Sequence, residues 1–317
     1  MSKNKKFGLL VPLTENLGDY IQSLAAKQFL PRVDFILDRD NIKIPKDIQI
    51  KAIINGWLTY KPMNWALPKN LEPLFISIHI SPKISKQFLN NRTIEYLKDF
   101  EIGCRDLWTT ALLKKYGLEA YFSGCLTLTL DYKFRSESNH ERKGILIIDI
   151  PSDIVSYLPE EVLMEAEFLS HYLFPPPSEK FRNSLIKKIF KIVPSSIKLQ
   201  AAYLLLKNES KKISPTEKLL KAEEIIYKIS KAKLVITSRL HAALPALSFN
   251  TPVLFVNQNP NDPRFKGYLE FLNYYSIDKF KENIENINYE KVKNPNQEKL
   301  QPIKKNLVKK VKEFVEC

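Results

Sequence analysis

Apolar runs alternate with helical patterns along this chain. Phe7–Leu13 reads as a buried strand, and Asp19–Leu30 as a helix with Ile21, Leu24, Ala25 and Phe29 on one stripe. Ala52–Asn55 and Leu74–Ile80 read as further strands, and Asp106–Tyr116 as a helix closed by Gly117 at its C′ position. The stretch from Asp131 to Lys143 is densely charged and has no apolar period. A second unit opens at the apolar run Gly144–Asp149 and continues through a helix around Pro159–Leu173, a basic region from Pro175 to Lys212 and a helix at Pro215–Lys231. The strand Leu234–Thr237, a short helix and the strand Val253–Val256 follow, and Ile303–Val315 spaces its apolar residues on one helical face.

Two β-α-β units joined by a charged linker predict an α/β protein of two Rossmann-like lobes, with parallel sheets facing a central cleft. The boundaries read as residues 1–132 for the first lobe, 133–143 for the linker, 144–302 for the second lobe and 303–317 for a closing helix. A length of 317 residues fits two domains, and 44% apolar with 26% charged residues is ordinary globular composition. Met1–Lys6 precedes only a short apolar run, so no secretory signal is read, and no stretch reaches the ~20 apolar residues of a membrane span. Cys104, Cys125 and Cys317 are odd in number and lack C-x-x-C spacing, which predicts neither a disulfide framework nor a zinc site and fits a reducing cytoplasm.

Net charge is +14. That favours acidic partners, yet zinc-finger, RNP-like and helix-turn-helix patterns are absent, so nucleic acid is not the expected one. Within the basic region, Leu185, Ile186, Ile189, Phe190 and Val193 form an apolar helical face interleaved with lysines. Such a helix either packs on its own lobe or docks peripherally on anionic lipid.

Four constellations carry candidate chemistry. In Ser238-Arg239-Leu-His241, a buried strand ends by placing Arg239 and His241 at the start of a helix, where free N–H groups and the dipole favour an anion. A buried structural histidine is the competing reading. Arg105, in Gly103-Cys-Arg-Asp106, precedes another helix and can fork onto a carboxylate or phosphate, or pair locally with Asp106. In Asn16-Leu-Gly18-Asp19, Gly18 permits a tight turn and Asp19 can cap the helix, giving either a phosphate or acceptor cradle or a plain N-cap. His79 ends a strand as a core or a cleft histidine.

These blocks resemble the polysaccharide pyruvyl transferases. The resemblance lies in Asn16-Leu-Gly-Asp-Tyr-Ile-Gln-Ser-Leu-Ala-Ala26, Gly103-Cys-Arg-Asp106 with Thr110, Tyr121-Phe-Ser-Gly-Cys-Leu-Thr-Leu-Thr129, and Val235-Ile-Thr-Ser-Arg-Leu-His-Ala-Ala-Leu-Pro245 followed by Asn250-Thr-Pro-Val253. It implies a GT-B-like fold, with the first lobe on the acceptor side and the second on the donor side. Phosphoenolpyruvate would be the donor and a saccharide, free or lipid-linked, the acceptor. His241 would be the general acid, Arg239 and Arg105 with Ser238 the donor anchors, and His171 a further family position. The long insertion Pro175–Lys212 departs from the family spacing, so acceptor specificity is not carried over.

The chemistry needs an acid and fixed positive charge, which histidine and arginine supply near neutral pH. Arg239 is expected to disfavour the His241 imidazolium until the donor's negative charge arrives. Neither a cofactor nor a metal is called for, because carboxylate clusters and histidine pairs at ligand spacing do not stand out. The alternatives are a GT-B glycosyltransferase using a nucleotide sugar and a non-catalytic module that senses an anionic metabolite.

Overall fold

The computed structural model describes residues 5–134, 142–173 and 213–317. The basic segment 175–212, with the amphipathic helix expected within it, and most of the charged linker lie outside them.

The first lobe runs β1 (Lys6–Val11), α1 (Leu17–Lys27), β2 (Phe35–Asp38), β3 (Ile50–Leu58), β4 (Leu71–Ile80), α2 (Ser85–Phe88), α3 (Asn91–Leu97), β5 (Ile102–Cys104), α4 (Leu107–Lys115) and β6 (Ala120–Phe122). Its six strands are all parallel, in the order β2-β1-β3-β4-β5-β6. The second lobe runs β7 (Ile145–Ile148), α5 (Ser152–Val155), α6 (Glu160–Met164), β8 (Ala166–Leu169), α7 (Pro215–Lys231), β9 (Leu234–Thr237), α8 (Leu240–Ser248), β10 (Val253–Val256), β11 (Asn273–Tyr275), α9 (Ile277–Asn283) and α10 (Gln297–Glu316). Its five parallel strands are ordered β11-β10-β9-β7-β8. The chain is thus α/β with two parallel-sheet lobes, as the sequence pattern predicts.

Both faces of each sheet are covered, which is why the central strands read as continuous apolar runs. One core lies under the outer face of the first sheet, with Ile54, Phe75, Phe88, Leu97 and Leu113. Another lies under the outer face of the second, with Ile147, Ile154, Val162, Ile236 and Phe280. The third is shared by the lobes: Ile21 and Leu24 of α1 join Ala222 and Ile226 of α7, Leu244 and Leu247 of α8, and Leu300 and Leu307 of α10. The closing helix α10 returns to the first sheet, where Lys51 Nζ donates to Phe314 O at 2.7 Å and Lys304 meets Asp131 at 2.8 Å.

Three expectations change. The helix expected over Asp19–Leu30 starts at Leu17 and stops at Lys27. The helix expected around Pro159–Leu173 is a five-residue helix followed by the edge strand β8. Val162 is buried in the second-lobe core, but Met164 and Phe168 stay exposed, and pairing with β7 makes Ala166–Leu169 a strand. The closing helix begins before Ile303, at Gln297, with Pro302 inside it. Strands β2, β5, β6 and β11, of three or four residues each, were not expected.

Candidate active site

In each sheet the strand order reverses once, leaving a crevice where the carboxyl ends of two neighbouring strands diverge. In the second sheet this lies between β7 and β9. Leu234–Thr237 is buried throughout, and the Thr237 hydroxyl donates to Ile148 O (2.9 Å) and accepts from Arg239 N (2.9 Å), which fixes the turn out of β9. The Ser238 hydroxyl donates to Asp149 O, so it braces the two strand ends. Arg239 is the N-cap of α8, and its carbonyl accepts from Ala242 and Ala243. Among the described residues no hydrogen bond engages the Leu240 or His241 amides, and these two donors remain at the helix N-terminus beside the His241 ring.

Asp149 follows β7 with φ 48°, a left-handed conformation that aspartate tolerates better than most residues. Its carboxylate accepts from His171 N at 2.9 Å and from Arg239 Nε at 3.0 Å. The Arg239 guanidinium also lies 4.8 Å over the Tyr172 ring.

Arg105 enters from the first lobe, between β5 and α4. Its backbone N donates to Ile78 O (2.7 Å), and its carbonyl accepts from the Tyr268 hydroxyl. The side chain is 1% exposed, and Nη1 donates to Gln22 Oε1 (2.8 Å) and to His241 Nε2 (3.2 Å). Nε is buried with no hydrogen-bond partner, and no carboxylate pairs with Arg105 among the described residues. The neighbouring Asp106 is otherwise engaged: it caps α4 through Thr109 N (2.8 Å) and binds His79 Nδ1 at 2.7 Å. His79 is therefore a buried, hydrogen-bonded histidine. Burial depresses its pKa, outweighing the Asp106 hydrogen bond, and Arg105 adds to the depression.

The loop at residues 16–19 is not a phosphate cradle. Asn16, not Asp19, caps α1. Its side chain accepts from Gly18 N (3.0 Å) and its carbonyl from Asp19 N (3.0 Å), while Leu17 N donates to His171 O (2.6 Å), so the first three amides are already satisfied. Leu17–His171 and Leu173–Glu15 bonds, with a bridge between Asn16 and Tyr172, stitch the lobes in antiparallel fashion. Gly18 is needed for close approach: a Cβ there would lie 2.9 Å from His171 Nδ1 and 3.3 Å from His241 Cβ. Asp19 instead accepts from Thr14 and Gln22 and faces Arg39.

His171 is buried beside this junction, and its Nε2 has no hydrogen-bond partner. Desolvation pulls its pKa down to about 4, with Asp149 opposing and Arg239 adding to the shift. His241 is held well below the ordinary histidine pKa by desolvation first, then by Arg105, His171 and Arg264. The strongest charge acting on His241 is thus Arg105, reached across the lobe junction. Arg239, expected to play that part from its place two residues away, is tied to Asp149.

Sequence reasoning missed Gln22, Asp149 and Arg264. Arg264 sits in the loop after β10, paired with Asp262 through Nη2–Oδ2 at 2.6 Å, and its position after a strand's carboxyl end was the available signal. The resulting arrangement, a neutral histidine beside a buried guanidinium that no carboxylate pairs among the described residues and two helix N–H groups, can hold an anion and, once the imidazole is protonated, pass it a proton.

No curated protein sequence matches this chain. Among solved structures, a UDP-N-acetylglucosamine 2-epimerase is similar over 98% of this chain and 96% of its own, at 13% identity and TM-score 0.51. That supports a GT-B-like fold. An uncharacterized protein, KP1_0663 from Klebsiella pneumoniae subsp. pneumoniae NTUH-K2044, matches over 86% of this chain and 91% of its own, at 13% identity and TM-score 0.46. The family model described as polysaccharide pyruvyl transferase matches residues 16–260, which include Gly18, Arg105, His171, Arg239 and His241, and the chain belongs to that family.

Proposed function

We propose that this protein transfers the pyruvyl group of phosphoenolpyruvate to two hydroxyls of a saccharide, forming a pyruvate ketal. The observation that carries the reading is the contact of Arg105 Nη1 with His241 Nε2 at 3.2 Å, beside the unengaged amides of Leu240 and His241. A buried guanidinium without a carboxylate is costly unless a ligand anion completes it. In this reading the donor's phosphate lies at the N-terminus of α8 and its carboxylate meets Arg105, with Arg239 and Arg264 adding positive charge.

Donor charge then reverses the electrostatics of His241. Arginine only donates, so the free site holds an imidazole whose Nε2 accepts. The nearly threefold negative donor draws the Arg105 fork away and favours the imidazolium. His241 protonates the methylene carbon, a saccharide hydroxyl adds to the resulting cationic carbon, and the C–O bond to phosphate breaks, phosphate leaving with the electron pair. The second hydroxyl closes the ketal, and the hydroxyl protons pass to phosphate, solvent and His241. The test incubates the protein with phosphoenolpyruvate and pooled saccharides in D2O. Phosphate release with one deuterium in the ketal methyl group is expected, and nucleotide release from a sugar nucleotide instead would overturn the reading.

A further inference from the structure

The first sheet has its own reversal point, which the donor site leaves unused. The chain passes from β1 out to β2 and back across to β3, so the carboxyl ends of β1 and β3 diverge beneath α1. A cavity of about 10 Å³ lies there, lined by Leu10, Pro12, Asp19, Gln22, Arg39 and Asn55 among others, roughly the room one water needs.

Arg39, just past β2, is 4% exposed, and its Nε and Nη2 make no hydrogen bond. Asp19 stands 3.6 Å from Nη1 and Asp40 3.5 Å from Nη2. The guanidinium also faces the rings of Trp57 (5.3 Å) and Tyr60 (5.7 Å), which meet edge to face at 4.1 Å. Tyr60 is nonetheless 62% exposed. Its backbone is held, because the Asp40 carboxylate accepts from Tyr60 N (2.6 Å) and from the Thr59 hydroxyl, while Asn64 Nδ2 donates to Asp40 O (2.8 Å). The phenol is kept above its ordinary pKa by desolvation first and then by Asp19, with Arg39 opposing. A continuous chain of contacts links this ledge to the donor site: Arg39 to Asp19, Asp19 to Gln22 (3.2 Å), Gln22 to Arg105 (2.8 Å) and Arg105 to His241 (3.2 Å).

A fixed, exposed tyrosine ring set on a half-buried tryptophan and a buried arginine is a recognition surface rather than a stability device, since neither burial nor ion pairing requires the ring to be exposed. We propose that Tyr60, backed by Trp57 and Arg39, forms a saccharide subsite that takes a neutral pyranose ring, its apolar face on Tyr60 and its hydroxyls toward Asp40. Two carboxylates against one guanidinium leave the ledge net negative, which disfavours a hexuronide. The subsite rests on the pyruvyl-transfer reading only in that the bound sugar is then the acceptor.

Saturation-transfer NMR tests it on the full chain, using methyl glycosides of neutral hexoses and of hexuronic acids as probes. Neutral pyranosides are expected to bind and hexuronides to bind more weakly. Tyr60→Ala is expected to weaken binding by about tenfold, and Tyr60→Phe to retain it. A thermal shift with phosphoenolpyruvate, run without sugar, checks that each variant is folded and reads the donor site separately. Loss of that shift in the wild type would count against the donor and leave the subsite standing. No saturation transfer from the wild type to any neutral pyranoside, unchanged binding in folded Tyr60→Ala, or a preference for hexuronides would overturn the subsite.

Discussion

Arg105 Nη1 and His241 Nε2 meet at 3.2 Å although 136 residues separate them in the chain. The contact crosses from the carboxyl edge of the first sheet to that of the second and, after burial, is the main influence holding the proposed acid neutral. With Arg105 as donor, His241 Nε2 must carry a lone pair, and burial disfavours the imidazolium further.

Phosphoenolpyruvate binding should therefore protonate His241. Nitrogen-15 NMR of the imidazole is expected to show the neutral ring in the free protein at pH 7 and the imidazolium when the donor is added. In kinetics the sign follows from an acid that must be protonated. kcat/KM for the donor reports the free protein and should fall with rising pH from below the ordinary histidine range, whereas kcat should hold to higher pH. Coincident profiles would count against donor-induced protonation.

Replacing His241 by Asn should leave the fold and donor binding nearly intact and lower turnover on the order of 10²–10⁴-fold, the usual contribution of a positioned acid. Phosphate release together with circular dichroism checks both halves of this expectation.

Gly18→Ala tests the close packing at the lobe junction. In a helix, alanine is ordinarily favoured over glycine by about 1 kcal/mol. Here the added methyl would stand 2.9 Å from His171 Nδ1 and 3.3 Å from His241 Cβ. Overpacking of that kind costs roughly 1–3 kcal/mol, so the melting temperature and turnover should both drop. A stabilised, fully active variant would show that the histidines yield without consequence.

The two-lobe architecture was legible because β1, β3, β4, β7, β9 and β10 are apolar on both faces, and His241 because a buried strand runs straight into a helix. The short strands β5 and β6 were not, since three residues carry too little periodicity and gain their strand character from pairing with neighbours. Local sequence suggested that Arg239 would act on His241, being two residues away. Asp149, 90 residues earlier in the chain, claims Arg239, and the vacated part goes to Arg105. Asp19 looked like the cap of α1, but cap geometry depends on where the backbone enters the helix, and the antiparallel stitch to His171 and Tyr172 places Asn16 there.

His171 should make stability sensitive to acid. Its folded pKa of about 4 lies below the 6.5 of an ordinary histidine, so between these limits the unfolded chain binds a proton that the native protein does not. The contribution is fully present above about pH 6.5 and is lost as pH falls toward 4. Thermal melts of His171→Asn should show a shallower decline than the wild type across that window, and parallel declines would place the acid sensitivity elsewhere.

Calorimetry of phosphoenolpyruvate on the wild type, Arg105→Lys and His241→Asn, with UDP-N-acetylglucosamine titrated in parallel, tests the site's central assignment most directly. A lysine cannot reproduce the guanidinium fork, and hydrogen bonds to a charged group contribute about 1.5–3 kcal/mol. The account predicts that phosphoenolpyruvate binds the wild type and His241→Asn similarly, binds Arg105→Lys at least about tenfold more weakly, and is not displaced by the sugar nucleotide. Equal donor affinity in Arg105→Lys, or heat from the sugar nucleotide alone, would contradict it.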